Sequence, residues 1–311
     1  MSTLHRQSIV LLALIGLGAC SSPTTPPPPP PDAPTLTCPA SASLLSLDGT
    51  AVPYSFTVPT AVNGQAPVTV SCSRLGGSTF SPGSTLVTCT ATDALSRQAS
   101  CNFNVTVTIP PKISRTKFLA FGDSITFGRC GVKDNVCPPY TVRLEELLRQ
   151  RYTQQNFVIT TRGVSGETAE LGEDRLPGEL SRYNPEVLLL MEGTNDLTNG
   201  ASNVPEALES LEDMIDLARN RGVLNVFIAT IPPILPGGPN NSTIPLVVPF
   251  NSQIRNLAAR KNVTLVDVYS ALNADLNRYY LIDDLHPVAA GLRVIGETFY
   301  ESIRATLDIT P

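Results

Sequence analysis

From Lys117 to Leu307, short apolar runs alternate with amphipathic stretches of helical length, and this alternation constrains the fold more than any other feature of the chain. Lys117–Phe121 reads as strand, Tyr140–Tyr152 as helix, Phe157–Thr161 as strand and Ala169–Tyr183 as mixed helix. Glu186–Met191, with Val-Leu-Leu-Leu at its centre, reads as a strand buried on both faces. Pro205–Arg221 is expected to be helical, with Leu208, Leu211, Ile215 and Ala218 on one stripe. Val223–Ile231 follows as strand, Pro249–Asn262 as helix, Val263–Val268 as strand, and Ala289–Leu307 as the last helix. Alternation of this kind builds an α/β domain, a doubly wound parallel sheet with helices on both faces. In such sheets ligands bind beyond the carboxyl ends of the strands, so chemistry is to be sought in the loops that follow them.

Residues 36–109 have another period. Val52–Val58, Pro67–Cys72, Thr85–Thr92 and Cys101–Ile109 are short alternating runs punctuated by Asn63-Gly64 and Ser81-Pro82-Gly83. Period-2 runs at this spacing predict a small antiparallel β-sandwich. Its four cysteines, Cys38, Cys72, Cys89 and Cys101, allow three pairings. The segment resembles a hyalin-repeat (HYR) module, an immunoglobulin-like domain. The likeness rests on Thr37-Cys38-Pro39, Val70-Ser71-Cys72, Phe80-Ser81-Pro82-Gly83, Val87-Thr88-Cys89-Thr90-Ala91-Thr92-Asp93 and Cys101-Asn102-Phe103-Asn104-Val105. It implies Cys38–Cys101 and Cys72–Cys89 bridges. Residues 110–116 then form a short linker, so the second domain spans 117–311.

The N-terminus reads as an export signal over residues 1–20. His5 and Arg6 precede an apolar run, Ile9–Leu17, too short to cross a bilayer. Leu17-Gly18-Ala19-Cys20 resembles a bacterial lipobox, which implies lipidation at Cys20 and a membrane anchor; Ser21 fits an outer-membrane address. Residues 21–35 are Ser, Thr and Pro with six consecutive prolines, Pro26–Pro31, and predict a stiff polyproline spacer. Setting Cys20 aside, six of the seven cysteines remain, an even number suited to an oxidising compartment. The last two, Cys130 and Cys137, bracket a short loop that a disulfide would stiffen. Without CxxC spacing, and with His286 the only histidine after the signal, no metal site is expected.

Composition excludes little else. The net charge of −5 offers no basic face for nucleic acid. Tryptophan is absent and aromatics are 6% of residues, which argues against a stacked platform for bases or sugars.

Four motifs fall where the doubly wound fold directs attention. Gly122-Asp123-Ser124-Ile125-Thr126 follows the first strand, and a serine on such a turn can project its hydroxyl at the sheet edge; Asp-Ser is also an ordinary helix-cap pair. Gly163-Val164-Ser165-Gly166-Glu167-Thr168 follows the second strand and can aim backbone N–H groups at a ligand. Gly193-Thr194-Asn195-Asp196 follows the third, where an Asn amide can donate to a developing oxyanion. Asp283-Asp284-Leu285-His286-Pro287 precedes the last helix, with an aspartate three residues before a histidine, a spacing that can orient an imidazole.

Each motif alone is weak, but together and in this order they resemble the blocks of the SGNH hydrolases, the GDSL esterase/lipase family, from about Lys117 to the C-terminus. The resemblance implies a flavodoxin-like fold and hydrolysis of carboxylic esters without a cofactor. It implies Ser124 as nucleophile, His286 as general base and Asp283 as its partner. The Ser124 and Gly166 N–H groups and the Asn195 side chain are then the oxyanion donors. The chain departs from many members in carrying Asp284 where they have glycine. The leading expectation is an exported, anchored esterase acting on short acyl esters, including carbohydrate O-acetyl groups. Lipase, lysophospholipase or thioesterase activity, or a surface adhesion protein with a secondary hydrolase domain, are the alternatives. Oligomeric state is not legible in the sequence.

Overall fold

The computed structural model describes residues 28–131, 135–281 and 284–309. Cys20 and its signal, and Asp283, lie outside the described residues. The chain divides into two compact units, one within residues up to 106 and one mainly from 107 onward, and each is described by itself.

The first unit is strand-rich. Strand β2 (Gly83–Thr92) lies between β1 (Thr69–Cys72) and β3 (Gln98–Thr108). Val87, Cys89 and Ala91 of β2 and Phe103, Val105 and Val107 of β3 are buried. That every second residue is buried follows from the pleat, which turns successive side chains to opposite faces. β1 and β2 are antiparallel with Cys72 opposite Cys89, and these two form a disulfide; Cys38 and Cys101 form another. Asp93, at the end of β2, accepts from the N–H groups of Gln65, Leu95 and Arg97 and from the Arg97 guanidinium. Burial alone would raise its pKa, but Arg97 and these N–H groups hold it down at about 2.

The second unit contains five parallel strands, β4 (Lys117–Gly122), β5 (Val158–Gly163), β6 (Val187–Met191), β7 (Asn225–Ala229) and β8 (Thr264–Val266), in the order β5-β4-β6-β7-β8. This is the doubly wound order whose ligand crevice lies where the winding reverses, between β4 and β6. Every residue of β6 is buried. Its side chains alternate between two cores. Val187, Leu189 and Met191 face Leu144 and Leu148 of α2 (Tyr140–Arg151) and Ile295, Phe299 and Ile303 of α9 (Ala289–Leu307). Leu188 and Leu190 face Leu176 and Leu180 of α3 (Ala169–Tyr183), Leu211 and Ile215 of α5 (Val204–Asn220), and Ile254 and Leu257 of α6 (Ile244–Lys261); two short helices, α4 (Thr194–Asn199) and α8 (Leu276–Tyr279), precede α5 and α9 in the chain.

Two boundaries depart most from the sequence expectation, and one helix keeps its expected bounds despite internal breakers. Helix α6 begins at Ile244, five residues before Pro249. Pro245 occupies the first turn, where a missing N–H is harmless, and Pro249 removes only one rung of the helix beyond it. The strand expected at Val263–Val268 is Thr264–Val266, because Asp267 caps a short helix, α7 (Val268–Asn273), by accepting from the Ser270 N–H. Helix α3 is continuous through Gly172 and Pro177: burial of Leu176 and Leu180 outweighs their poor helix propensity. Among the described residues, no helix is long and apolar enough to cross a membrane.

Candidate active site

β4 ends at Gly122, and Asp123 caps the single-turn helix α1 (Ser124–Phe127) by accepting from the Ile125 N–H at 2.8 Å. Ser124 is thereby the first residue of α1, where a backbone N–H has no intrahelical acceptor. The adjacent strands end in register, Gly122 opposite Gly163 on β5 and opposite Met191 on β6. All three loops therefore leave the sheet at one edge.

The second loop packs directly on the first. A Cβ at Gly163 would lie 2.1 Å from the Phe127 nitrogen and 2.6 Å from the Asp123 carbonyl, a contact only glycine permits. The Val164 N–H donates to the Gly122 carbonyl at 2.9 Å. Gly166 is exposed and adopts φ +81°, the left-handed conformation that turns the chain before Glu167. The third loop holds the second. Asn195 Nδ2 donates to the Glu167 carbonyl at 2.8 Å, and the Asp196 carboxylate accepts from the Ala169 N–H at the start of α3. One of the two Asn195 amide hydrogens is thus engaged, leaving the other for a ligand.

The histidine motif reaches the same edge. His286 Nε2 lies 2.9 Å from Ser124 Oγ, a hydrogen bond between residues 162 apart in sequence. The loop between α1 and α2 braces both partners. It is closed by the Cys130–Cys137 disulfide. At its base the Cys137 N–H donates to Gly128 O just after α1, and the Gly131 N–H donates to the His286 carbonyl.

Carboxyl groups collect behind this edge. Asp123 is buried, and burial raises its pKa from 3.8 to about 6 despite the Ile125 N–H, the Thr194 hydroxyl and the nearby His286, which pull the other way. Glu192, the last residue before Gly193, is fully buried. Burial first, then the neighbouring Asp123 and Glu167 carboxyls, push its pKa well above the ordinary glutamate value. Glu167 pairs with Arg175, which donates to both of its carboxyl oxygens and stacks 3.9 Å from the Phe121 ring centre. Arg175 also approaches Glu179, which Arg162 grips bidentately. The structure therefore gives the loops after β5 and β6 an ionic underside.

Of the residues singled out from sequence, the structure brings Ser124 and His286 into contact and places Gly166 and Asn195 on the two loops beside them. Asp196, Glu167, Arg175 and Glu192 were not anticipated. Asp196 and Glu167 lie inside the motifs; Glu192 is a charged residue directly after five apolar ones, Val187–Met191, a signal that could have been read.

Residues 120–294 match the GDSL-like Lipase/Acylhydrolase family and residues 31–107 the HYR domain. The chain is similar to a multidomain esterase of Ruminococcus flavefaciens, 31% identical over 133 residues. That match covers 41% of this chain and 17% of the esterase, so the chain spans under a fifth of that relative. Two solved structures share the fold. A lipase/acylhydrolase of Enterococcus faecalis aligns with TM-score 0.55 and 22% identity over 63% of this chain and 99% of its own. An acetylxylan esterase of Geobacillus stearothermophilus aligns with TM-score 0.53 and 22% identity over 62% and 96%. With the family match covering more than half of its length, the chain belongs to the GDSL-like lipase/acylhydrolase family, the SGNH hydrolases.

Proposed function

We propose that this protein is an exported serine esterase that cleaves short-acyl carboxylic esters, with O-acetyl groups of carbohydrate as the leading substrate class. The observation that carries the reading is the 2.9 Å contact between Ser124 Oγ and His286 Nε2 at the carboxyl edge of the sheet. In this reading His286 takes the Ser124 proton as the hydroxyl attacks the acyl carbonyl. The negative oxygen that forms is held by the N–H groups of Ser124 and Gly166 and by the free amide hydrogen of Asn195. His286 then protonates the departing alcohol, and water, activated by the same imidazole, releases the acid. Asp283, three residues upstream, is assigned the orienting role by the family motif alone.

Family membership supports the ester-hydrolase reading. The acetylxylan esterase among the structural neighbours directs attention to acetylated glycans as the first substrates to test. The three disulfides suit an oxidising compartment, and the Cys20 motif supports a lipid anchor, placed in the outer membrane.

The test is hydrolysis of aryl esters of graded acyl length, and acetate release from acetylated xylan, by wild type, Ser124→Ala, His286→Ala and Asp283→Asn. Activity should favour acetate and vanish in the first two variants; retention of wild-type rates by Ser124→Ala overturns the assignment. Longer-chain hydrolysis is the second reading, favoured by exposed Phe127 at the end of α1 and exposed Val136 and Val164 on the neighbouring loops; a preference for octanoate over acetate would select it. For the anchor, Cys20→Ala should move the protein from the membrane to the soluble fraction.

A further inference from the structure

The segment carrying His286 is joined to the loop after β7 by a carboxylate outside the proposed triad. Asp284 is 5% exposed. Its two carboxylate oxygens accept separately from Asn240, one from the backbone N–H at 2.9 Å and one from Nδ2 at 3.0 Å. Its backbone carbonyl accepts from the Leu235 N–H at 2.8 Å. The chain between these points lies against it: a Cβ at Gly238 would come within 2.2 Å of the Asp284 Cγ. Nearby, the Tyr280 hydroxyl donates to the Pro233 carbonyl at 2.8 Å, and the Gly237 N–H donates to Asn241 Oδ1. Residues 233–241 are thus tied to Tyr280 and Asp284 at several points, and of these ties only the Asn240 contacts depend on the Asp284 side chain.

We propose that Asp284 is a positioning residue that fixes the 233–241 loop as a wall of the ester pocket beside His286, and thereby sets which acyl groups the enzyme accepts. The inference rests on the esterase reading. The physical argument is that hydrogen bonds to a buried acceptor are costly to leave unmade. Two of them converging on one loop residue hold a Pro- and Gly-rich segment that has little regular structure of its own. The position of Asp284, two residues before His286, means that the same contact registers the wall against the imidazole. A pocket wall that loosens discriminates poorly between acyl groups, because the fit of a methylene or two is all that separates them.

The test compares Asp284→Ala, Asp284→Asn, Asn240→Asp and the exchange pair Asp284→Asn with Asn240→Asp. The readouts are kcat and KM for aryl acetate and aryl hexanoate, and amide hydrogen exchange at residues 233–241. Asp284→Ala should change the acetate-to-hexanoate ratio of kcat/KM by roughly tenfold, mainly through KM, and deprotect Leu235 and Asn240. Asn240→Asp, which sets two carboxylates face to face, should do the same. Asp284→Asn keeps an acceptor for the Asn240 N–H and can pair amide to amide, so it should stay within about twofold of wild type. The exchange pair should recover most of what Asn240→Asp loses. An unchanged ratio in Asp284→Ala, or an exchange pair no better than Asn240→Asp alone, overturns the proposal. If the wild type hydrolyses no ester and an acyl-phosphonate fails to label Ser124, it is the esterase reading that fails. Hydrogen exchange then still decides whether Asp284 holds the loop.

Discussion

Asp123 gives the sharpest physical test of the site. Asp123→Asn keeps the cap on α1, since an asparagine oxygen accepts from the Ile125 N–H as well as a carboxylate does, and removes only the titration. The rise from 3.8 to about 6 corresponds to ~3 kcal/mol of differential stability, at about 1.4 kcal/mol per pH unit. The sign follows from where the proton sits. Between pH 3.8 and about 6 the folded protein keeps the Asp123 proton while the unfolded chain has lost it. Asp123 therefore favours folding below pH 3.8, and that contribution is lost as pH rises to about 6. Urea unfolding of both proteins from pH 3.5 to 8 reads the effect. The 222 nm ellipticity is a suitable signal because the helices belong to the second unit and the chain has no tryptophan. Subtracting the curves cancels groups that Asp123 does not touch; Glu192, whose pKa Asp123 helps to raise, is removed by making both proteins in a Glu192→Gln background. The stability of Asp123→Asn minus that of wild type should climb by ~3 kcal/mol across the interval and then level off. Parallel curves, or a difference that falls with pH, would show that Asp123 is not held protonated by burial.

Glu192→Gln should also gain stability relative to wild type as pH rises above the ordinary glutamate value of 4.5, because burial and the neighbouring carboxyls raise the acid's pKa in the fold; an unchanged difference curve would mean that folding leaves this pKa where it was. Replacing Cys130 and Cys137 by serine opens a loop with a sequence separation of 7. It should cost about 2–3 kcal/mol in thermal or denaturant unfolding and lower kcat by releasing the brace on the His286 carbonyl. Asn195→Ala should reduce kcat by roughly 10²–10³ with Ser124 still labelled by acyl-phosphonate; loss of labelling would point to collapse of the loop after β5 instead. Asp93→Asn should destabilise the first unit at neutral pH, and the difference from wild type should shrink as pH falls from 3.8 through about 2, where the wild-type carboxylate is itself protonated.

Much of this protein is fixed by local rules that operate along the chain. A run such as Val187–Met191, apolar at every position, can only be a strand buried on both faces, and the amphipathic stripe of Pro205–Arg221 can only cover one. These periods carry the α/β class, the strand-rich first unit and the loops where chemistry belongs; the choice of Ser124, Gly166, Asn195 and His286 within those loops rests on the resemblance of their motifs to the SGNH hydrolases. What the chain could not announce is contact between distant residues. The meeting of Ser124 and His286 depends on five strands ending in register. The brace from Asn195 and Asp196 onto Glu167 and Ala169, the raised pKa of Glu192, and the tie between Asp284 and Asn240 depend on burial and on partners brought from elsewhere. Hydrophobic periodicity is a property of neighbours along the sequence, whereas a pKa or a hydrogen bond between loops is set by whatever folding places within a few ångströms. The helix start at Ile244 shows the same division: Pro249 reads locally as an opening residue, and the buried face of Val247, Phe250 and Ile254 overrides it.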